Sequence, residues 1–261
     1  MVIEPAVGRL TGADTGKGRL PEPAEIFAVA RAALRRGAAA PPDLAGRHVV
    51  VTAGGTREPL DPVRYLGNRS SGKQGYAFAR TAVARGARVT LVAANVSLPD
   101  PAGVELLRVG TTAELRGAVL AAAAGADAVI MAAAPADFRP AEYRPDKIKK
   151  SPDGTAPVLA LATNPDIAAE LGSTRPAGQV LVIFAAETSD QETALAAGRA
   201  KLDAKQADLV VVNRVGTDLT FGADDTTATV LGADGTVTPV GPGPKEALAD
   251  TVWDLVLARS G

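Results

Sequence analysis

The sequence has no cysteine, a single histidine and a single tryptophan, and aromatic residues make up only 3% of its 261 positions. Each scarcity removes a class of chemistry. Without cysteine there is no disulfide, no thiolate metal site and no cysteine nucleophile. The lone histidine, His48, opens the apolar run HVVVTA. A Ser-His-Asp triad would have to use it, and a position at the entry of a strand suits packing better. No run of about 18 apolar residues occurs, so no segment is expected to span a membrane. The N-terminal MVIEPAVGRL lacks the basic stretch and apolar core of a secretory signal. Neither sign of charge predominates, with 28 Lys and Arg against 29 Asp and Glu. No basic run offers a surface for nucleic acid. A cytoplasmic location is the default expectation.

What is present is aliphatic: hydrophobic residues reach 46%, most of them Ala, Val and Leu. Residues 1–21, rich in Gly, Pro and charge, predict a loose arm. PEPAEIFAVARAALRRG, 21–37, predicts a helix with acids early, Arg35 and Arg36 late and Gly37 as its stop. AAAPPDLAG, 38–46, reads as a linker. From there apolar runs (HVVVTA, ARVTLVAA, VELLRVG, ADAVIMAAA, QVLVIFAAET, ADLVVVN) alternate with helical stretches. Thr111 or Thr112 is expected to cap one helix. Asn164 is expected to cap another, with Pro165 at its first turn. Near-continuous apolar strands alternating with helices predict an α/β fold: a doubly wound, mostly parallel Rossmann-like sheet with helices on both faces. TTATVLGADGTVTPV, 226–240, adds a small β-hairpin extension around Asp234-Gly235. A final helix, KEALADTVWDLVLAR, should bury Trp253, Leu255 and Val256. Two regions follow, an N-terminal arm, helix and linker over 1–45 and one α/β domain over 46–261.

In such sheets ligands bind beyond the carboxyl ends of the strands. The loops to watch are AGGTREPLDPVRYLGNRSSGKQG, AAAPADFRP, FAAET and VVNRVGTDLTFG. GNRSSGKQG echoes a P-loop, but about a dozen residues separate it from its strand and Gln74 stands where Ser or Thr should follow the lysine. The dinucleotide fingerprint GxGxxG is also absent. Ser70, Ser71 and Gly72 nevertheless fall at a helix start, where free N–H groups favour an anion; Ser70 as a plain helix cap is the alternative. Small residues in AAAPADFRP let a flat ring approach the backbone. Asp137 beyond them can accept from an amine or hydroxyl, face a metal ion or cap a turn. YRPDKIKKSPDG places Lys147, Lys149 and Lys150 in a flexible segment, either a solvated loop or a flap over phosphates. Lys201 and Lys205 share a helix face, for solubility or to meet polyphosphate.

In this order, TAGGTREPLDPVRYLGNRSSGKQG, AAAPADFRP, DKIKK, NPDI, FAAET and KLDAKQADLVVVN resemble the phosphopantothenoylcysteine synthetases, in particular the bacterial CTP-using type, over about residues 46–258. The resemblance implies a ligase of coenzyme A biosynthesis. It would join 4′-phosphopantothenate and L-cysteine through an acyl-cytidylate, converting CTP to CMP and pyrophosphate with Mg2+. It implies catalytic or substrate-binding roles for Asn68, Arg64 and the flap lysine Lys147. It implies a nucleotide pocket of Gly54, Ser70, Ser71, Gly72, Ala133, Ala134, Asp137, Phe184, Lys201 and Lys205, with Asp137 also a metal candidate. Lys73 receives no role. Family members form homodimers with shared active sites; the 226–240 hairpin and the loop near Arg64 are the candidate contacts. In many bacteria the synthetase follows a flavin-dependent decarboxylase domain, of which GRLPEPAEI is expected to be a remnant, so no flavin chemistry is expected here. Two rival readings are an NAD(P)-dependent oxidoreductase, disfavoured by the missing fingerprint, and a nucleotide-sensing module that binds CTP without releasing pyrophosphate.

Overall fold

A computed structural model describes residues 3, 5–11, 14–37, 42–150, 152–214 and 224–260. The elements run β1 (Ala6–Arg9), β2 (Thr15–Arg19), α1 (Pro23–Arg36), β3 (His48–Gly54), β4 (Arg57–Pro59), β5 (Tyr65–Gly67), α2 (Lys73–Ala84), β6 (Arg88–Ala94), β7 (Val104–Val109) and α3 (Thr112–Ala123). They continue with β8 (Ala128–Met131), β9 (Phe138–Pro140), β10 (Leu161–Thr163), α4 (Ile167–Thr174), β11 (Val180–Glu187), α5 (Gln191–Ala204), β12 (Leu209–Arg214), β13 (Asp225–Gly232), β14 (Val237–Pro244) and α6 (Lys245–Leu257).

An eight-stranded sheet runs in the order β14-β13-β12-β11-β8-β3-β6-β7. From β12 to β7 every pairing is parallel, and β13 and β14 add an antiparallel edge. The expected doubly wound, mostly parallel sheet is the one found. The hairpin is part of the main sheet rather than an appendage.

β3 is buried along its whole length, as both faces of a central parallel strand require. One face packs Val49, Val51 and Ala53 against Tyr76, Phe78 and Trp253 of α2 and α6. The other packs Val50 with Leu115 and Val119 of α3 and with Leu171 of α4. Each Val, Leu or Phe among them, once fully buried, contributes about 1.5–3 kcal/mol of transfer free energy. Trp253 is wholly buried, and its indole N–H donates to Thr81 Oγ1 at 3.0 Å. His48 packs at the far end of β3. Its ring nitrogens lie 3.2 Å from the Gly125 carbonyl and 3.0 Å from Thr90 Oγ1, as the packing reading expects.

Several local expectations are corrected. The arm holds a two-stranded ladder, β1 with β2. Two further short ladders form: β4-β5 inside a stretch read as a loop, and β10-β9, whose β9 lies in another. Helix α4 is capped by Asp166, which accepts from the Ala169 N–H at 3.0 Å, and not by Asn164. Asn164 instead donates to the Ala136 carbonyl at 2.8 Å, tying down the loop after β8. Thr111 does cap α3, in a reciprocal capping box with Glu114. Part of the linker, residues 38–41, and the loop over 215–223 lie outside the described residues. No helix among the described residues is long and apolar enough to cross a membrane.

Candidate functional site

A cleft of about 430 Å³ opens at the carboxyl ends of the parallel strands. Its wall includes Asn68, Ser70, Ser71, Gly72, Ala133, Ala134, Asp137, Phe184, Lys201 and Lys205, so ten of the residues singled out in the sequence meet in one place. A side pocket of about 270 Å³ adjoins it, sharing Ala133, Asp137, Phe184 and Lys205 and adding Asn164 and Asp166.

Glycine geometry builds the first wall. Gly72 occupies the N-cap position of α2 with φ of 77°, a left-handed conformation that L side chains rarely adopt. A Cβ there would stand 2.7 Å from Val96 Cγ2. No side chain caps α2 from the N-cap position, which corrects the capping role weighed for Ser70. Ser71 Oγ reaches the Lys73 N–H only at 3.4 Å, and there is no acidic residue in the first turn. The first turn of α2, with the positive end of its dipole, thus lies on the cleft wall without an acidic partner of its own.

The opposite wall is the loop after β8. Its Ala133 N–H donates to Thr52 Oγ1 at 2.9 Å and its Ala134 N–H to the Gly54 carbonyl at 2.8 Å. Gly54 thus supports the wall from behind and is not among the residues lining it. Its φ of 84° and the 2.0 Å approach of the Ala94 carbonyl to a Cβ at this position leave room for glycine only. Asn68 bridges the two walls, donating from Nδ2 to the Pro135 carbonyl at 2.8 Å. One amide proton and the side-chain oxygen remain for a ligand. Phe184 stands edge-on to Phe78, with ring centroids 5.8 Å apart, which fixes it as a flat apolar surface.

The two helix lysines are cationic but compensated. Lys201 Nζ lies 2.6 Å from Glu187 Oε1, and Lys205 Nζ lies 3.5 Å from Asp166 Oδ2. Both partners come from other elements, which helix spacing alone does not disclose. Arg64 and Lys147 are not among the residues lining the cleft. The Arg64 guanidinium is held by Asp61 at 2.6 Å, and Lys147 is exposed on the segment beside it.

Sequence reasoning passed over Lys73, Gln74, Asn213 and Lys245, all on the cleft wall. Lys245 is 6% exposed at the first turn of α6. Burial pushes its ammonium below the usual lysine range and nearby Lys73 adds to this, against the pull of Asp224, Asp225 and Glu246. Lys73 itself pairs with Asp224 at 2.7 Å. Asn213 and Gln74 each leave a side-chain oxygen buried without a hydrogen-bond partner. A lysine at the mouth of a helix after Pro-Gly-Pro carries no motif, so only its three-dimensional position could reveal it.

Residues 44–259 match the family described as DNA/pantothenate metabolism flavoprotein C-terminal domain. The chain is 49% identical over 264 residues to the coenzyme A biosynthesis bifunctional protein CoaBC of Mycobacterium tuberculosis (strain H37Rv), covering 98% of this chain and 63% of that protein. It is 45% identical over 235 residues to CoaBC of Bacillus subtilis (strain 168), covering 89% of this chain and 56% of that protein. The crystal structure of the C-terminal domain of a CoaBC is similar with a TM-score of 0.70 at 31% identity, over 83% of this chain and 97% of that one. The chain spans less than two thirds of the length of these curated relatives. An α/β domain with a cleft at the carboxyl ends of its parallel strands is the class that fold and site define. The chain belongs to the DNA/pantothenate metabolism flavoprotein C-terminal domain family and is similar to the C-terminal domain of CoaBC proteins, as its ordered motifs led one to expect.

Proposed function

We propose that this chain joins 4′-phosphopantothenate to L-cysteine at the expense of CTP. The observation that carries the reading is the cleft itself. It gathers the glycine-led start of α2, the Asn68 bridge, the Ala133-Ala134 loop, Phe184 and two helix lysines in a member of this family. Phe184 and the alanine loop offer the flat, small-residue wall a pyrimidine needs. The exposed Asp137 carboxylate can accept from a ribose hydroxyl. The start of α2 faces the phosphates.

In the first step a carboxylate oxygen of 4′-phosphopantothenate attacks the α-phosphorus of CTP. The bond to the bridging oxygen breaks, and pyrophosphate leaves with the electron pair. In the second step the neutral amine of cysteine attacks the acyl carbon. CMP departs on its oxygen, and the amine proton passes to solvent. Charge grows first on the α-phosphoryl oxygens and then on the acyl oxygen, so donors fixed in advance lower both barriers. Lys147, carried over the cleft by its segment, supplies a cation to the first step. The remaining amide proton of Asn68 serves the acyl oxygen in the second step without titrating.

Mg2+ would neutralise the triphosphate when bound. Among the described residues no group of three or more His, Asp or Glu is placed to cage a metal. A single carboxylate on the wall, Asp137, suits an ion held mainly by phosphate oxygens and water. We also propose a homodimer. The short ladders carry exposed apolar side chains, Val63 just before β5, Tyr65 on β5, and Phe138 and Leu161 on β9 and β10, and these support a partner surface near Arg64.

The decisive experiment follows pyrophosphate release from CTP, Mg2+ and 4′-phosphopantothenate, with and without L-cysteine. Sustained release only with cysteine, and much less with ATP, is the expected result; a folded sample that binds CTP without releasing pyrophosphate refutes it. Asn68→Asp should release a first equivalent of pyrophosphate and accumulate acyl-cytidylate, while Lys147→Gln should lose the release itself.

A further inference from the structure

Asp61 sits in the loop between β4 and β5, away from the lining of the cleft, yet its side chain is fully buried. One carboxylate oxygen accepts from the Val63 and Arg64 N–H groups, both at 2.8 Å. The other accepts from Arg64 Nε at 3.0 Å, from Arg64 Nη2 at 2.6 Å and from the Ile148 N–H at 3.1 Å. Arg64 Nη2 also donates to the Ile148 carbonyl at 2.7 Å. Both main-chain polar groups of Ile148 are therefore held by one ion pair. A third tether lies just upstream, where the Arg144 N–H donates to the Leu60 carbonyl at 3.0 Å. Burial pushes the Asp61 carboxyl up, but the bonds from Val63, the Arg64 guanidinium, Ile148 and the Arg64 N–H outweigh it and hold it well below the usual carboxylate range.

The turn around Asp61 is already closed by its bonds to residues 63 and 64. The bond to Ile148 instead reaches a remote segment, and the peptide it grips is the one that joins Lys147 to Ile148. We infer that Asp61 is a positioning residue for Lys147: with Arg64 it clasps Ile148 and so fixes where the exposed lysine can reach over the cleft. The inference rests on the reading of Lys147 as the flap lysine. It gives Arg64, which does not line the cleft, a definite task.

Hydrogen–deuterium exchange on the whole chain reads the clasp without reference to activity. The Ile148 amide should exchange slowly and the neighbouring Lys149 amide fast. Asp61→Asn puts an NH2 group against donors, and should speed Ile148 exchange about tenfold or more while β3, β8 and β11 stay protected. The same variant should lower kcat for pyrophosphate release about 10- to 100-fold with little change in the KM for CTP, since the pocket is intact and only the lysine is misplaced. If Asp61→Asn does not fold, Arg64→Gln removes the carbonyl half of the clasp and should shift both readouts the same way by less. A wild-type Ile148 amide as fast as that of Lys149 refutes the clasp. Lost protection with unchanged kcat refutes the positioning role. If the wild type releases no pyrophosphate, the proposed function fails and the positioning role with it, while the exchange data still decide whether the clasp exists.

Discussion

Helix α3 follows the parallel strand β7 directly, whereas α2 follows β3 only after the β4-β5 ladder, and the two helices begin differently. α3 opens on Thr111, whose hydroxyl and the Glu114 carboxylate satisfy the first N–H groups reciprocally. α2 opens on a left-handed glycine with no acid in its first turn. One start is closed by a reciprocal pair of its own side chains; the other has only the 3.4 Å contact from the Lys73 N–H to Ser71 Oγ. A helix start with few side-chain acceptors favours an anion near it.

Gly72→Ala should break the comparison most. It forces a left-handed alanine and drives a Cβ to 2.7 Å from Val96, so the start of α2 must shift. Calorimetry should show CTP affinity lost by more than about tenfold, and denaturation should show a loss of about 1–2 kcal/mol. Ser71→Asp sharpens it, because a carboxylate at this start makes α2 resemble α3. Helix stability should gain about 0.3–1 kcal/mol while CTP affinity falls, and the opposite signs separate ligand binding from folding.

Lys245→Met tests the buried cation at the same end of the cleft. Burial holds the Lys245 ammonium below its ordinary 10.5. An anion beside it raises that pKa again, so CTP binding on the alkaline side should take up protons. Calorimetry in buffers of different ionisation enthalpy should detect the uptake in the wild type and lose it in the variant. The same depression means the charged form costs stability at neutral pH. That cost is relieved as pH rises through the lowered pKa towards 10.5. Thr111→Ala should have the smallest effect on function, costing about 1 kcal/mol of stability with kcat for pyrophosphate release unchanged.

The alternation of apolar runs with helical stretches was legible because a parallel strand buried on both faces has nowhere to place polar residues, as β3 shows along its length. The site was legible where its residues carry a backbone signal, as in the Ser-Ser-Gly start of α2 and the small residues after β8. It was illegible where a role depends on a partner distant in sequence. Lys245 reads as an ordinary first-turn residue until α6 is seen against α2. Asp61 reads as a turn former until Ile148 arrives from beyond β9. The cap of α4 went to Asp166 rather than Asn164 because Asn164 is drawn off by the Ala136 carbonyl, a competition no local propensity encodes.

Strand β14 forms one border of the eight-stranded sheet, and it carries Pro239, Pro242 and Pro244. A proline offers no N–H to a neighbouring strand. Any molecule meeting the chain along this border finds a ladder with missing rungs. Proline on an edge strand is one of the devices that disfavour the addition of a further strand, and β14 carries three of them at this border.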